Sequence, residues 1–143
     1  MAYLFDTDAI SEVLRRRPLS AYLQWLGTIP RADQFTSAIV VGELYKGASQ
    51  SPDAARHLEN IEQRLLPALT VLPYDAAVAR RFGEAHARLS GGGRGFPDAD
   101  LQIAATALHH DIELVTGNIR HFERIAGLRV SRALASARVS VGR

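Results

Sequence analysis

Four short apolar runs, separated by segments of helical period, constrain this fold more than any other feature of the chain. Tyr3-Leu4-Phe5, Phe35-Thr36, Thr70-Val71-Leu72 and Leu114-Val115 are too short for helices and read as strands. Between them, Asp8 is placed to cap a helix to Leu14, Arg15-Arg16-Arg17-Pro18 breaks it, and Leu19 to Leu26 forms a second. A helix is expected from Ala38 to Gln50, and Ser51-Pro52 restarts another with Leu58, Ile61 and Leu65 at helical spacing. Asp75 caps a long helix to Leu89, with Val78, Phe82 and Ala85 inward and Arg81, Glu84 and Arg88 outward. Pro97 opens the next, with Leu101, Ala104, Ala105 and Leu108 on one face. A short helix around His121 to Arg124 and the run Leu128 to Val130 finish the pattern. Strands alternating with helices predict an α/β sandwich with a short, largely parallel central sheet. Ligands of such sheets bind beyond the carboxyl ends of the strands, which directs attention to Asp6 and to Thr116-Gly117-Asn118.

The 143 residues make one domain, with no internal repeat. At 47% hydrophobic and 22% charged, the composition argues against a disordered or collagen-like chain. The absence of cysteine excludes a disulfide framework, a thiolate zinc site and a cysteine nucleophile. Apolar runs such as Ala38 to Val41 fall far short of the roughly 20 residues of a membrane helix. Met1 to Asp6 lacks the pattern of a secretory signal, so a soluble, cytoplasmic protein without membrane contact is expected. The domain is assigned to residues 1–130, and Ser131 to Arg143, lacking a period, is expected to fray. Ser90 to Gly95, four glycines in six residues, is expected to be a mobile loop. Sixteen of the seventeen cations are arginine, which suits phosphate recognition and equally reflects genomic base composition.

The carboxylates are ambiguous one by one. Asp6 ends the first strand, where a turn or capping role is common; Asp98 and Asp100 sit in a first helical turn, where acids suit the helix dipole. Glu43 is more informative, because it shares a helix face with Ile39, Val40 and Gly47, where an unpaired carboxylate is costly. It lies some 8–9 Å into its helix, so spacing alone does not bring it to the sheet edge.

Taken together, these residues match a known pattern. The chain resembles the PIN-domain ribonucleases, specifically the VapC-type toxins of toxin–antitoxin pairs, through LFDTDAISEV (4–13), SAIVVGELYKGA (37–48), FPDADLQIAATAL (96–108) and LVTGNIRHFERIAGLRV (114–130). The resemblance implies a three-layer α/β/α PIN-like fold and places the key acids on Asp6, Glu43 and Asp100. Family members often carry a fourth acid at the place of Asn118 or His121; this chain has neither, a departure that bears on a second metal more than on the first. Asn118, Thr116, His121 and Asp98 are the accessory candidates, Asn118 through its amide and His121 through phosphate binding or proton transfer.

Three converging carboxylates repel one another by about 1 kcal/mol per pair at 4 Å in water and about 4 at an effective dielectric of 20. A hard divalent cation reverses that, and an oxygen-only donor set suits Mg2+ or Mn2+. The resemblance therefore implies a metal-dependent endoribonuclease leaving a 5′-phosphate and a 3′-hydroxyl, with Asp6 and Asp100 as primary ligands and Glu43 as ligand or water-positioning base. Arg15, Arg16, Arg17, Arg94 and Arg120 are candidates for contacting RNA, with transfer or ribosomal RNA the family's usual target. Also implied are a VapB-type antitoxin, a homodimer and a higher assembly with the antitoxin. Two rival readings stand beside this one: a PIN module that binds RNA or antitoxin without cleaving, and a haloacid-dehalogenase-type phosphatase suggested by Asp6-Thr7-Asp8. Against the phosphatase, Ile10 stands where that family wants Thr or Val, and the only lysine is Lys46.

Overall fold

The computed structural model describes residues 1–89 and 91–142. Five parallel strands, β1 (Tyr3–Phe5), β2 (Gln34–Ser37), β3 (Thr70–Leu72), β4 (Glu113–Val115) and β5 (Val130–Ser131), form one sheet in the order β3-β2-β1-β4-β5. Around it lie α1 (Thr7–Leu14), α2 (Ser20–Leu26), α3 (Ala38–Gln50), α4 (Ala54–Glu59), α5 (Ala76–Arg88), α6 (Asp98–His110), α7 (Ile119–Phe122) and α8 (Ala133–Ser140). The result is the expected three-layer α/β/α, PIN-like architecture.

Burial explains the register. Leu4, Leu114 and Val115 are fully enclosed, as central parallel strands covered on both faces require. Leu4 lies opposite Leu114 on one side and Phe35 on the other. Helix α6 carries Leu101, Ile103, Ala104, Ala105 and Ala107 into the core, and its alanines let α5 pack closely along it.

Strand order places the crevice. From β1 the chain builds outward through β2 to β3, then returns to lay β4 and β5 on the other side of β1. The reversal lies between β1 and β4, where the Asp6 N–H donates to the Val115 carbonyl at 3.1 Å. Ligands of open α/β sheets bind beside such a switch point.

Three sequence expectations need correction. Asp6, not Asp8, caps α1: its carboxylate accepts from the Ala9 N–H at 2.8 Å. Two positions earlier than expected, the residue that follows β1 supplies the orphan helix N–H with a partner. Pro52 does not open a helix; α4 begins at Ala54, followed by a π-helical stretch over Asn60–Leu65. The glycine segment, apart from Ser90, which lies outside the described residues, is a run of turns with Gly91, Gly92, Gly93 and Gly95 all at positive φ. It is closed by bonds such as Phe96 N–H to the Gly93 carbonyl at 2.9 Å.

The largest correction concerns the C-terminal segment. Over its described residues, to Gly142, it does not fray. Ser131 extends β5, and α8 buries Leu134 and Ala137 against α2 and the core. Two apolar positions three apart suffice to anchor so short a helix, too few to register as a period.

Candidate active site

A cleft of about 410 Å³ opens at the β1/β4 switch, lined among others by Asp6, Thr7, Asp8, Glu43, Asp100 and Thr116. The three acids singled out in the sequence thus share one concavity, together with Asn118 and the expected Thr116 hydroxyl.

Asp6 is delivered by the end of β1 and held by its capping bond to Ala9. It is only 6% exposed, and its carboxyl is pushed up to about 7. Burial is the main cause, and the charges of Asp8 and Asp100 add to it; the Thr116 hydroxyl and the Ala9 N–H oppose it. The protein holds a carboxylate where neutral pH alone leaves it half protonated, so positive charge in the cleft would stabilise it.

Glu43 reaches the cleft because α3 starts directly after β2, as α1 does after β1. Ser37 caps α3 by accepting from the Val40 N–H at 3.1 Å. The Thr7 hydroxyl donates to Glu43 Oε1 at 2.5 Å, tying the two helix starts together. That bond accounts for the carboxylate on an apolar face. Asp100, in the first turn of α6, pairs through Oδ2 with His121 Nε2 at 2.9 Å. His121 is in turn stacked on Phe96, with ring centroids 4.0 Å apart and an interplanar angle of 15°, and meets Phe122 edge-on. The histidine in the place of a family acid therefore grips one of the remaining acids, fixing its orientation.

Asp98 stands apart, exposed at the start of α6 and facing Tyr74, outside the cleft lining. Asn118 is on the cleft wall, and its N–H donates to Thr116 Oγ1 at 3.1 Å. Of the arginines, Arg15 and Arg16 line an adjoining groove that shares Thr7, Ser11 and Glu43 with the cleft. Arg15 also pairs with Glu12 at 3.3 Å. Arg17, Arg94 and Arg120 are exposed and outside the cleft lining.

Sequence reasoning missed what holds Asp8 on the cleft wall. Arg138 of α8 forms a two-pronged pair with Asp8, Nη1 to Oδ2 at 2.7 Å and Nη2 to Oδ1 at 2.8 Å. Nη2 also reaches Glu12 Oε1, a fully buried carboxylate, at 3.3 Å. The pair presses on Gly117, where a Cβ would collide with Arg138 Nη1 and Asp8 Oδ2. That glycine, between Thr116 and Asn118, was the one sequence signal of a close approach.

The donor set tests the fit of a divalent ion. The carboxylates offer only oxygen, and the Asp6 carboxyl is pushed up chiefly by burial, with the charges of Asp8 and Asp100 adding to it. Among the described residues no three His, Asp or Glu side chains form a ready-made metal cage. Mg2+ does not need one, because it keeps several waters and takes one or two carboxylates plus substrate phosphate. The residues therefore fit a hydrated magnesium-like ion.

The chain is similar to known proteins. The PIN-domain family model matches residues 3–128. Ribonuclease VapC2 of Haemophilus influenzae is 37% identical over 132 residues, 90% of this chain and 96% of that protein. The tRNA(fMet)-specific endonuclease VapC of Shigella flexneri is 31% identical over 129 residues, again 90% and 96%. The crystal structure of VapBC2 from Rickettsia felis, bound to a DNA fragment from their promoter, matches with a TM-score of 0.83 at 26% identity, covering 92% of this chain and 98% of that one.

Proposed function

The chain belongs to the PIN-domain family, among the VapC ribonucleases, and on that footing we propose that it is a metal-dependent endoribonuclease, the toxin of a toxin–antitoxin pair restrained by a VapB-type antitoxin. The observation that carries the reading is the convergence of Asp6, Glu43 and Asp100 on one cleft at the sheet's switch point. Its substrate is an RNA of the translation apparatus, as the name of the Shigella relative suggests, and its place of action is the cytoplasm. A homodimer, and a larger assembly with antitoxin, belong to the same proposal.

In this reading Asp6 and Asp100 hold a Mg2+ or Mn2+ ion. When bound, the ion supplies positive charge against the phosphate oxygens and acidifies the attacking water. The chain's own residues do the rest. Burial and the Ala9 N–H keep Asp6 in a single pose. His121 fixes Asp100, so that one carboxylate oxygen is committed and the other is left for the cleft. Glu43, oriented by Thr7, binds the ion or aligns the water. Water adds to phosphorus and the bond to the 3′ oxygen breaks, giving a 5′-phosphate and a 3′-hydroxyl.

Asp8 is engaged on both oxygens by Arg138, which counts against the phosphatase reading. The test is cleavage of RNA by purified, antitoxin-free protein with Mg2+ or Mn2+. Cleavage that disappears with EDTA and with Asp6→Asn is expected. RNA bound without cleavage under all metal conditions would instead mark a non-catalytic PIN module and overturn the proposal.

A further inference from the structure

A second concavity lies at the far end of α6. Asp100 sits in the first turn of that helix and Asp111 caps its end, so the two sites are separated by about 16 Å at 1.5 Å per residue. The cavity, about 190 Å³, is ringed by Arg81 and Arg88 of α5 and by Arg124 and Arg129 of the segment leading to β5, over a floor that includes Leu108 and Ile125.

Its charge is unbalanced. The lining holds two acids, Glu84 and Asp111, against four guanidinium groups. Asp111 is taken by Arg129 at 3.2 Å, and Glu84 is divided between Arg81 at 3.7 Å and Arg80 at 3.2 Å. Arg88 has no hydrogen-bond or ion-pair partner among the described residues. Four planar forks around one hollow, one of them unpaired, form a receptor for an anion, and arginine geometry suits phosphate oxygens.

The hollow is also connected to the cleft. Asp100 bonds His121, His121 stacks on Phe96, and the Arg124 guanidinium lies 5.4 Å from the Phe96 ring centre. Arg124 also donates to the Arg94 carbonyl at 3.3 Å, joining the pocket to the glycine turns. A chain of packed side chains therefore runs from the acidic cleft to Arg124 of the arginine pocket.

We propose that this arginine pocket is a phosphate-binding subsite for the RNA strand flanking the cut, engaging a backbone phosphate several nucleotides from the scissile bond. The inference rests on the ribonuclease reading. It adds a determinant of RNA binding that lies outside the catalytic cleft, on residues of α5 whose sequence pattern shows only an outward polar face. The same phosphate chemistry is offered by a free phosphorylated metabolite. Continuity with the cleft favours RNA.

The experiment pairs the double variant Arg81→Gln/Arg88→Gln with Arg80→Gln, which removes a single charge from the same helix outside the pocket. Both are helix-surface changes, and thermal melts confirm folding. Steady-state RNA cleavage is measured alongside binding of fluorescent RNA in EDTA across a salt series. A KM or Kd raised about tenfold by the double variant at unchanged kcat is expected, with the salt slope reduced by about 0.7 per lost phosphate contact. An effect within twofold of Arg80→Gln would overturn the subsite. So would calorimetric binding of inorganic phosphate or AMP that the double variant abolishes while RNA affinity stays unchanged, since the pocket would then serve a free metabolite. Failure of the wild type to cleave while the double variant still weakens RNA binding would sink the ribonuclease reading and leave the subsite standing.

Discussion

The two ends of the chain meet where Arg138 pairs with Asp8 and Glu12, and they differ in how they reach the candidate active site. Asp6, Thr7 and Asp8 line it directly: Asp6 follows β1, Thr7 holds Glu43, and Asp8 begins α1, with Glu12 buried further along that helix. Helix α8, which lies beyond the last residue of the family match, enters it through a single side chain, Arg138. The N-terminal end brings the carboxylates of Asp6 and Asp8 to the cleft wall and buries that of Glu12 on the same helix. The C-terminal end brings the cation that offsets the part of that charge not needed for catalysis. A nuclease site built from acids needs both, because acids that do not bind the ion still repel the phosphate.

The comparison breaks most visibly if the acids are removed. Asp6→Asn and Asp100→Asn are each expected to lower kcat/KM for RNA by on the order of a thousandfold or more, measured with saturating Mg2+, because on the proposed reading each removes a primary ligand. Asp8→Asn, by contrast, should stay within about threefold, since Arg138 already neutralises it. Equal losses from all three would put Asp8 among the reacting groups.

Breaking the other end tests the pairing itself. Arg138→Met leaves the buried Glu12 with less compensation and Asp8 with no ion-pair partner among the described residues. Partial solvent access to Arg138 and Asp8 reduces the cost, so a loss of about 2 kcal/mol in urea unfolding is expected. A drop in activity that Asp8→Asn partly restores in the Arg138→Met background would sharpen the account. No recovery in the double variant would reduce Arg138 to a packing role.

The smallest expected effect is in pH dependence without divalent ions. Burial holds the Asp6 carboxyl at about 7 in the fold, against 3.8 when unfolded. The stability linked to its bound proton is complete below the unfolded value and is lost as pH rises through the folded one. Asp6→Asn mimics the protonated form, so its advantage over wild type should be near zero at pH 4. It should widen to at most a few kcal/mol above pH 7. A gap that is constant with pH would contradict the burial argument.

Much of this was legible from sequence because it is local. Strand and helix alternate with different periods, and Asp6 is marked by standing where an apolar strand stops. Helix α3 was bounded correctly at Ala38 and Gln50, but no spacing on it revealed that Glu43 would meet Thr7, since that contact depends on two helices starting from adjacent strands. His121 was visible as a departure from the family pattern, while its bond to Asp100 required the fold. Arg138 was invisible, because its partners lie at the opposite end of the chain and its helix buries too few residues to show a period.

The central claim is that these acids form a cleft whose electrostatic strain a divalent ion relieves. Titrating Mn2+ into metal-free protein and following the free-ion electron paramagnetic resonance signal tests it directly. The account predicts binding at sub-millimolar to millimolar Mn2+ that is lost in Asp100→Asn and retained in Asp98→Asn, whose side chain lies outside the cleft lining. Binding that is equal in the wild type and Asp100→Asn, or absent at millimolar Mn2+, would contradict it.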